Sequence, residues 1–283
     1  MINLSQLAIY PIKSTAQVSL PRAQISPFGL NMDRRWMLVD QNSVMLTQRN
    51  FARMCLIQSR FDNGVLEVTA PEMPGLTISL NNETTQTRAI VWEDTCKAED
   101  CGDVAADWFS EFLGTPARLV YFPENTVRQV DLNYAKQGDV TAFSDGFPYL
   151  LISQASLDDL NSRLKQRPKQ RQSQHTGQRM GQNLEQPVST ARFRPNLVVT
   201  GSAAFAEDSW KKLRIGNVIF NLVKPCSRCV IPSINPQTAE KSAEVVKTLA
   251  SYRMRENKIF FGQNLIAQGS GELEVGMPVE ILE

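Results

Sequence analysis

Over the first 120 residues the apolar positions come in short runs, and Gly, Pro, Asn and Asp fill the gaps between them. "INLSQLAIYPIKS" is apolar up to a proline break. "RRWMLVD" and "VMLTQ" are separated by the turn-forming "DQNS", and "GVLEVTAP", "GLTISL" and "TRAIVW" repeat the theme. Runs of this length bounded by turn formers predict strands. Many short strands at close spacing predict a barrel or sandwich. One helical period interrupts them. "CGDVAADWFSEFLG" places Val104, Trp108 and Phe112 on one face, with Asp103 suited to the N-terminal end and Gly114 to the C-cap.

After "TPARLVYF" the pattern changes, and a domain boundary is expected near Tyr121, giving units 1–120 and 121–283. In the second unit "SLDDLNSRL" carries Leu157, Leu160 and Leu164 on one face, with Ser156 as the expected N-cap and Asp159 three residues on. "KSAEVVKTLASYRM" repeats the helical period with Val245, Leu249 and Tyr252. Strands are expected at "PYLLIS", "RPNLVVTG", "KLRIGNVIFNLV", "NKIFFGQNLIA" and "MPVEIL". Residues 165–190 are rich in Gln and Arg with few aliphatic residues, which predicts a flexible surface loop. The fold class expected is mainly β with a few helices (α+β), in two β-rich units.

Composition adds exclusions. The 283 residues carry a formal net charge of +1, so no overall field draws the chain to nucleic acid or an anionic surface. No apolar stretch of about 18 residues occurs, so no membrane span is expected. The opening residues lack a basic segment followed by an apolar one, so no signal peptide is expected and cytoplasmic residence is the default. His175 is the only histidine and falls in the Gln/Arg-rich stretch, which removes most histidine-based mechanisms. No Gly-x-Gly-x-x-Gly run opens a β-α unit, so direct use of a nicotinamide is not expected.

The chemistry concentrates in "VKPCSRCVIPSINPQT", where Cys226 and Cys229 stand three apart. A structural zinc site needs four ligands, and the only other cysteine pair, Cys96 and Cys101, is loosely spaced. A thioredoxin-like pair needs a helix after the first cysteine, and the prolines that follow forbid one. Two inert thiols are a third reading. A single thiolate ligating a metal held mainly by a cofactor is a fourth. That reading also needs donors for an anionic group, and Lys13, Ser14, Arg34, Arg194 and Asn196 all stand beside expected strands.

A series of segments then identifies a resemblance: "YPIKS" from Tyr10, "DRRWMLVD" from Asp33, "CGDVAADWFSEFLG" from Cys101 and "FSDGFPYLLIS" from Phe143. It continues with "ASLDDLNSRL" from Ala155, "FRPNLVV" from Phe193, "KPCSRCVIPSINPQT" from Lys224, "TLASYR" from Thr248 and "FGQN" from Phe261. In this order, over nearly the whole chain, they resemble the MOSC family. The matching branch has an N-terminal β-barrel domain and includes bacterial YcbX and the mitochondrial amidoxime-reducing components.

The resemblance implies an N-terminal MOSC-associated barrel followed by a MOSC barrel, and a bound molybdenum cofactor (Mo-pyranopterin). It implies Cys229 as the metal ligand and catalytic centre, with Cys226 shaping the turn. Lys13, Ser14, Arg34, Asp145, Arg194 and Asn196 are the implied cofactor-binding residues. The implied activity is reduction of small N-hydroxylated compounds. No "C-x4-C-x2-C" run supplies an iron–sulfur cluster here, so electrons are expected from a separate flavin or iron–sulfur reductase. The rival is a cofactor or sulfur carrier without turnover.

Overall fold

The run "PYLLIS" is apolar throughout because both of its faces are covered. In the computed structural model, which describes residues 1–80, 85–166 and 187–283, Tyr149–Ser153 is buried at every position. It pairs antiparallel with Lys258–Gln268 and parallel with Leu197–Thr200. Parallel neighbours need a crossover, and the helix Gln154–Gln166 begins it.

Among the described residues this sheet has nine strands. Eight run from Val279–Ile281 through Lys212–Ile215, Val218–Arg228, Lys258–Gln268, Tyr149–Ser153 and Leu197–Thr200 to Asn3–Ile9 and Val18–Leu20, and the ninth, Met254–Arg255, pairs with Lys258–Gln268 off this path. Val279–Ile281, at one end of that order, also meets the start of Asn3–Ile9 near the other end. The Val279 N–H donates to the Ile2 carbonyl and the Leu4 N–H to the Met277 carbonyl, both at 2.9 Å. The sheet therefore curls into a barrel, filled by Leu7, Leu151, Leu197, Phe220 and Leu265. The first strand of the chain is thus a stave of a barrel built mostly from the second half.

Residues 36–121 form a second β unit. Trp36–Val39, Arg118–Tyr121, Asp94–Asp100 and Thr85–Val91 make one sheet, and Gln58–Asp62, Val65–Thr69 and Leu76–Ser79 another. Val65–Thr69 buries Leu66 and Val68 in strict alternation, the sign of a strand covered on one face. The helix Asp103–Leu113 packs Trp108, Phe109 and Phe112 against Leu38, Leu66 and Leu119. Gly114, at φ 67°, ends it with a left-handed cap. Among the described residues no helix is long and apolar enough to cross a membrane.

Three local expectations are corrected. Val104 is 76% exposed, not part of the buried helix face. An eight-residue spacing drifts by about 80° on a helix, and the buried stripe runs through Ala105, Trp108, Phe109 and Phe112 instead. Ser156 is not the N-cap. The helix follows its strand without a loop, so the Ser153 Oγ accepts the Ser156 N–H at 3.1 Å, and the Ser156 Oγ donates to Glu207 at 2.7 Å. "VMLTQ" makes only isolated bridges, Val44 to Ile90 and Met45 to Val39. The chain turns at Thr47, whose carbonyl accepts the N–H groups of both Asn50 and Phe51. Of the expected loop at 165–190, residues 167–186 lie outside the described residues.

Candidate functional site

Three segments far apart in sequence meet where the first strand ends. Proline cannot donate to a ladder, so Asn3–Ile9 stops before Pro11 and the chain crosses to the other β unit. There the Lys13 N–H donates to the Trp36 carbonyl at 2.7 Å. The Arg34 N–H donates to the Tyr10 carbonyl at 3.0 Å, and the Ala8 N–H to the Asn196 carbonyl at 3.0 Å. Ser14, Arg34 and Arg194 all have positive φ, at 68°, 48° and 57°. Non-glycine residues in that region cost of order 1–3 kcal/mol each and persist where the surroundings hold them, as at functional sites.

Asn196 shows how they are held. It is 1% exposed, and its amide has two donors and two acceptor positions. Its Nδ2 donates to the Ala8 carbonyl at 3.1 Å and to Asp33 Oδ2 at 2.9 Å. Its Oδ1 accepts from Arg34 Nη1 at 2.9 Å and from the Leu150 N–H at 3.2 Å. Asp33 also accepts from Arg34 Nη1 and from the Tyr10 N–H. Arg34 further donates to the Arg194 carbonyl at 3.0 Å. The guanidinium carbons of Arg34 and Arg194 lie 4.4 and 4.1 Å from the Tyr10 ring centroid. Asn196 therefore acts by fixing Arg34; its own amide is fully taken up within the protein.

A second cluster is more open. Lys13 Nζ donates to the Phe143 carbonyl at 2.8 Å and pairs with Asp145 Oδ1 at 2.5 Å. Burial pulls the Lys13 ammonium down to about 8 against the opposing attraction of Asp145. Desolvation beside its neighbours would raise Asp145, whose side chain is 60% exposed, but Lys13, with help from Arg49, holds its carboxyl well below the usual range. The other oxygen of Asp145 faces Arg49 Nη2 at 3.7 Å. The same Nη2 lies 3.6 Å from the Cys229 Sγ.

Cys229 is exposed and stands one residue past the end of Val218–Arg228. A short 3₁₀ turn, Ile231–Ser233, follows it in place of a longer helix. Cys226 is half-buried within that strand, and its sulfur accepts from Arg228 Nη1 at 3.0 Å. Among the described residues no group of three or more His, Cys, Asp or Glu is placed to hold a metal. A site resting on one thiolate thus needs a cofactor to supply the other ligands.

The donor set fits an anionic cofactor. Arg194 Nη1 donates to the Thr15 carbonyl at 2.5 Å, but its buried Nη2 has no partner, nor has the buried Nε of Arg228. Leaving a buried donor unmade costs about 1–3 kcal/mol, so these atoms call for an acceptor. Arg194 also lines a cavity of about 30 Å³ with Thr15, Gln48 and Cys55.

The structure brings Lys13, Asp145 and Cys229 into one chain of contacts through Arg49, and ties Arg34, Arg194 and Asn196 together beside it. Ser14 is 5% exposed, and its carbonyl accepts from Gln48 Nε2 at 2.7 Å. Sequence reasoning missed Arg49, Asp33, Arg228 and Arg128. Arg128 donates to the carbonyls of Ala142, Ser144 and Asp145, and so shapes the loop that presents Asp145. Asp33 and Arg228 lie inside quoted segments and were within reach; Arg49 and Arg128 carry no local signal.

Comparison with known proteins gives two family matches. The profile of the MOSC N-terminal beta barrel domain matches residues 1–116, and that of the MOSC domain matches residues 138–280. The chain is 34% identical over 301 residues to mitochondrial amidoxime-reducing component 1 of Homo sapiens, covering 99% of this chain and 83% of that protein. It is 33% identical over 303 residues to mitochondrial amidoxime reducing component 2 of Bos taurus, covering 98% and 82%. It is also 32% identical over 273 residues to the molybdenum cofactor sulfurase of Homo sapiens, covering 93% of this chain and 30% of that protein.

Proposed function

Because the chain belongs to the MOSC family, in the branch with an N-terminal MOSC barrel, we propose that it is a molybdenum-cofactor-dependent reductase of N-hydroxylated compounds. The observation that carries this reading is the exposed Cys229 thiol, set one residue past a barrel strand, next in the chain to Arg228 with its unpartnered Nε and in reach of Arg49. The names of the amidoxime-reducing relatives support the substrate class.

Cys229 would ligate the metal, since thiolate is a soft donor. Lys13 and Arg194 would neutralise the cofactor's phosphate, as buried charge must be paired. Arg34, locked by Asp33 and Asn196, presents a guanidinium of settled orientation, and Ser14 adds a hydroxyl. When bound, the cofactor supplies a metal that cycles between oxidation states two electrons apart and so removes oxygen from nitrogen. The protein's share is to bind and orient. Positive φ at Ser14, Arg34 and Arg194 builds that orientation into the backbone. Electrons would come from a separate flavin or iron–sulfur reductase.

The test is purification from a cofactor-competent host, molybdenum and pterin analysis, and turnover of benzamidoxime with reduced viologen. About one molybdenum per chain with turnover is expected. Full loading without turnover would favour a carrier, the reading supported by the match to part of the sulfurase. Neither loading nor turnover would overturn the proposal.

A further inference from the structure

We infer that Arg49, seated on Trp92, is the group that binds the oxygen of the substrate. This rests on the reductase reading above and names a residue outside the cofactor's own cradle.

Arg49 differs from the other cations in position and partners. Asp145 faces Lys13 with one oxygen and Arg49 with the other, but the Lys13 side chain is 6% exposed and that of Arg49 22%. Arg49 is the cation on the solvent side. Its contacts are long, 3.6 Å to the Cys229 Sγ and 3.7 Å to Asp145. Charge-assisted bonds of full strength run to about 2.7–2.9 Å. Among the described residues its side-chain polar contacts are confined to Nη2, although a guanidinium offers five donors in a planar fork. Spare N–H groups therefore stand beside the thiol that would hold the metal, where an oxygen leaving nitrogen must be placed.

Two features hold Arg49 there. The turn at residues 47–50 is closed on the Thr47 carbonyl, and its Gln48 braces Ser14. The same turn thus supports the cradle and aims the arginine. The second feature is Trp92, whose ring centroid lies 4.5 Å from the Arg49 guanidinium carbon. Trp92 occupies the first position of a two-residue turn between Thr85–Val91 and Asp94–Asp100, with φ 57°. Hairpin turns normally place Gly, Asn or Asp at such a φ. The indole is also 48% exposed. A large aromatic side chain, strained and half in water, is explained by the arginine it supports and by a substrate that packs on its open part. The ligand class is a small compound with an N–OH oxygen on an aromatic or otherwise flat body.

The test is calorimetric binding to the oxidised holoenzyme without reductant, so that nothing turns over. The two ligands are benzamidoxime and its oxygen-free product benzamidine. Arg49→Ala is expected to weaken benzamidoxime binding by roughly tenfold to a hundredfold, the size of a charge-assisted bond. It should leave benzamidine binding unchanged or tighter, and leave molybdenum and pterin content at the wild-type level. Arg49→Lys should fall between. Trp92→Ala should weaken benzamidoxime by about two- to fivefold through loss of the cation–π seat, with Trp92→Phe close to wild type. Equal weakening of both ligands, or loss of cofactor in both Arg49 variants, would overturn the inference. So would unchanged benzamidoxime binding in Arg49→Ala where the wild type binds it. A loaded wild-type protein that binds no benzamidoxime would instead overturn the reductase reading, and the inference with it.

Discussion

Two clusters of charge flank the thiol-bearing turn, and they are built in opposite ways. In the first, Asp33, Arg34, Asn196 and Tyr10 are tied so fully that all four hydrogen-bonding positions of the Asn196 amide are matched within the protein. In the second, Lys13, Asp145, Arg49 and Cys229 form a line whose contacts lengthen toward solvent, from 2.5 Å at Lys13 to 3.7 and 3.6 Å at Arg49. The first cluster shapes the backbone and fixes the Arg34 guanidinium, with the orphaned Arg194 nitrogen next to it. The second keeps donors in reserve. A site that must hold one group for good and exchange another needs both kinds of construction.

The largest expected effect tests the open cluster at its end. Cys229→Ser should abolish viologen-driven reduction of benzamidoxime, by a factor of about a thousand or more, because an alkoxide replaces a soft donor poorly. Cys226→Ser, whose hydroxyl can still accept from Arg228, should keep most of the activity. Equal loss in two folded variants would revive a dithiol site and dissolve the contrast.

The next effect belongs to the closed cluster. Asp33→Ala removes the acceptor of the Tyr10 N–H and one acceptor each from Arg34 and the Asn196 amide, and leaves the Arg34 charge without its carboxylate. Removing one partner of a buried pair costs about 3–5 kcal/mol. Urea unfolding should show that loss, and cofactor content should fall with it. Stability within about 1 kcal/mol of wild type would mean that the cluster is not holding the fold.

The pH dependence separates the clusters further, through Lys13. Its pKa is lowered from the ordinary 10.5 to about 8, so it is protonated below about 8 and neutral above. Cofactor loading that depends on Lys13 should therefore fall as pH rises through about 8. In the cofactor-free protein the sign reverses. Between about 8 and 10.5 the unfolded chain holds a proton that folded Lys13 has released, so this group makes stability rise with pH across that window. Lys13→Met should flatten both curves. A loading curve unchanged by the substitution would take Lys13 out of the cradle.

The smallest effect lies away from both clusters. Val104→Lys should change stability by no more than about 0.5 kcal/mol, as surface changes usually do, because Val104 is 76% exposed. Trp108→Ala, one turn on and buried, should cost about 3–5 kcal/mol in the same urea experiment. Comparable losses would restore Val104 to the buried face that its eight-residue spacing suggested.

The legible parts of this protein were those written locally. Alternating and continuous apolar runs announced most of the strands, because burial on one face or two leaves a period in the chain. Gly114 announced a helix end, and Pro11 the end of the first strand, since each restricts its own backbone. The resemblance carried by "YPIKS", "DRRW" and "KPCSRC" implied roles for Lys13, Arg34 and Cys229. Arg49, in "LTQRN", and Trp92, in "AIVWEDT", read as an arginine in a turn and an aromatic residue ending a strand. Nothing local distinguishes them, because the partners that give them meaning lie elsewhere. Arg49 meets Cys229 across 180 positions, and Lys13 meets Asp145 across 132. Those contacts exist only once the first strand has joined the large barrel and the chain has crossed to the second β unit. The sequence alone therefore determined the elements and the chemical types at the site. Which donors are saturated and which stand open was decided by closure of the barrel, since hydrogen bonds are made at about 3 Å and depend on where distant segments come to rest.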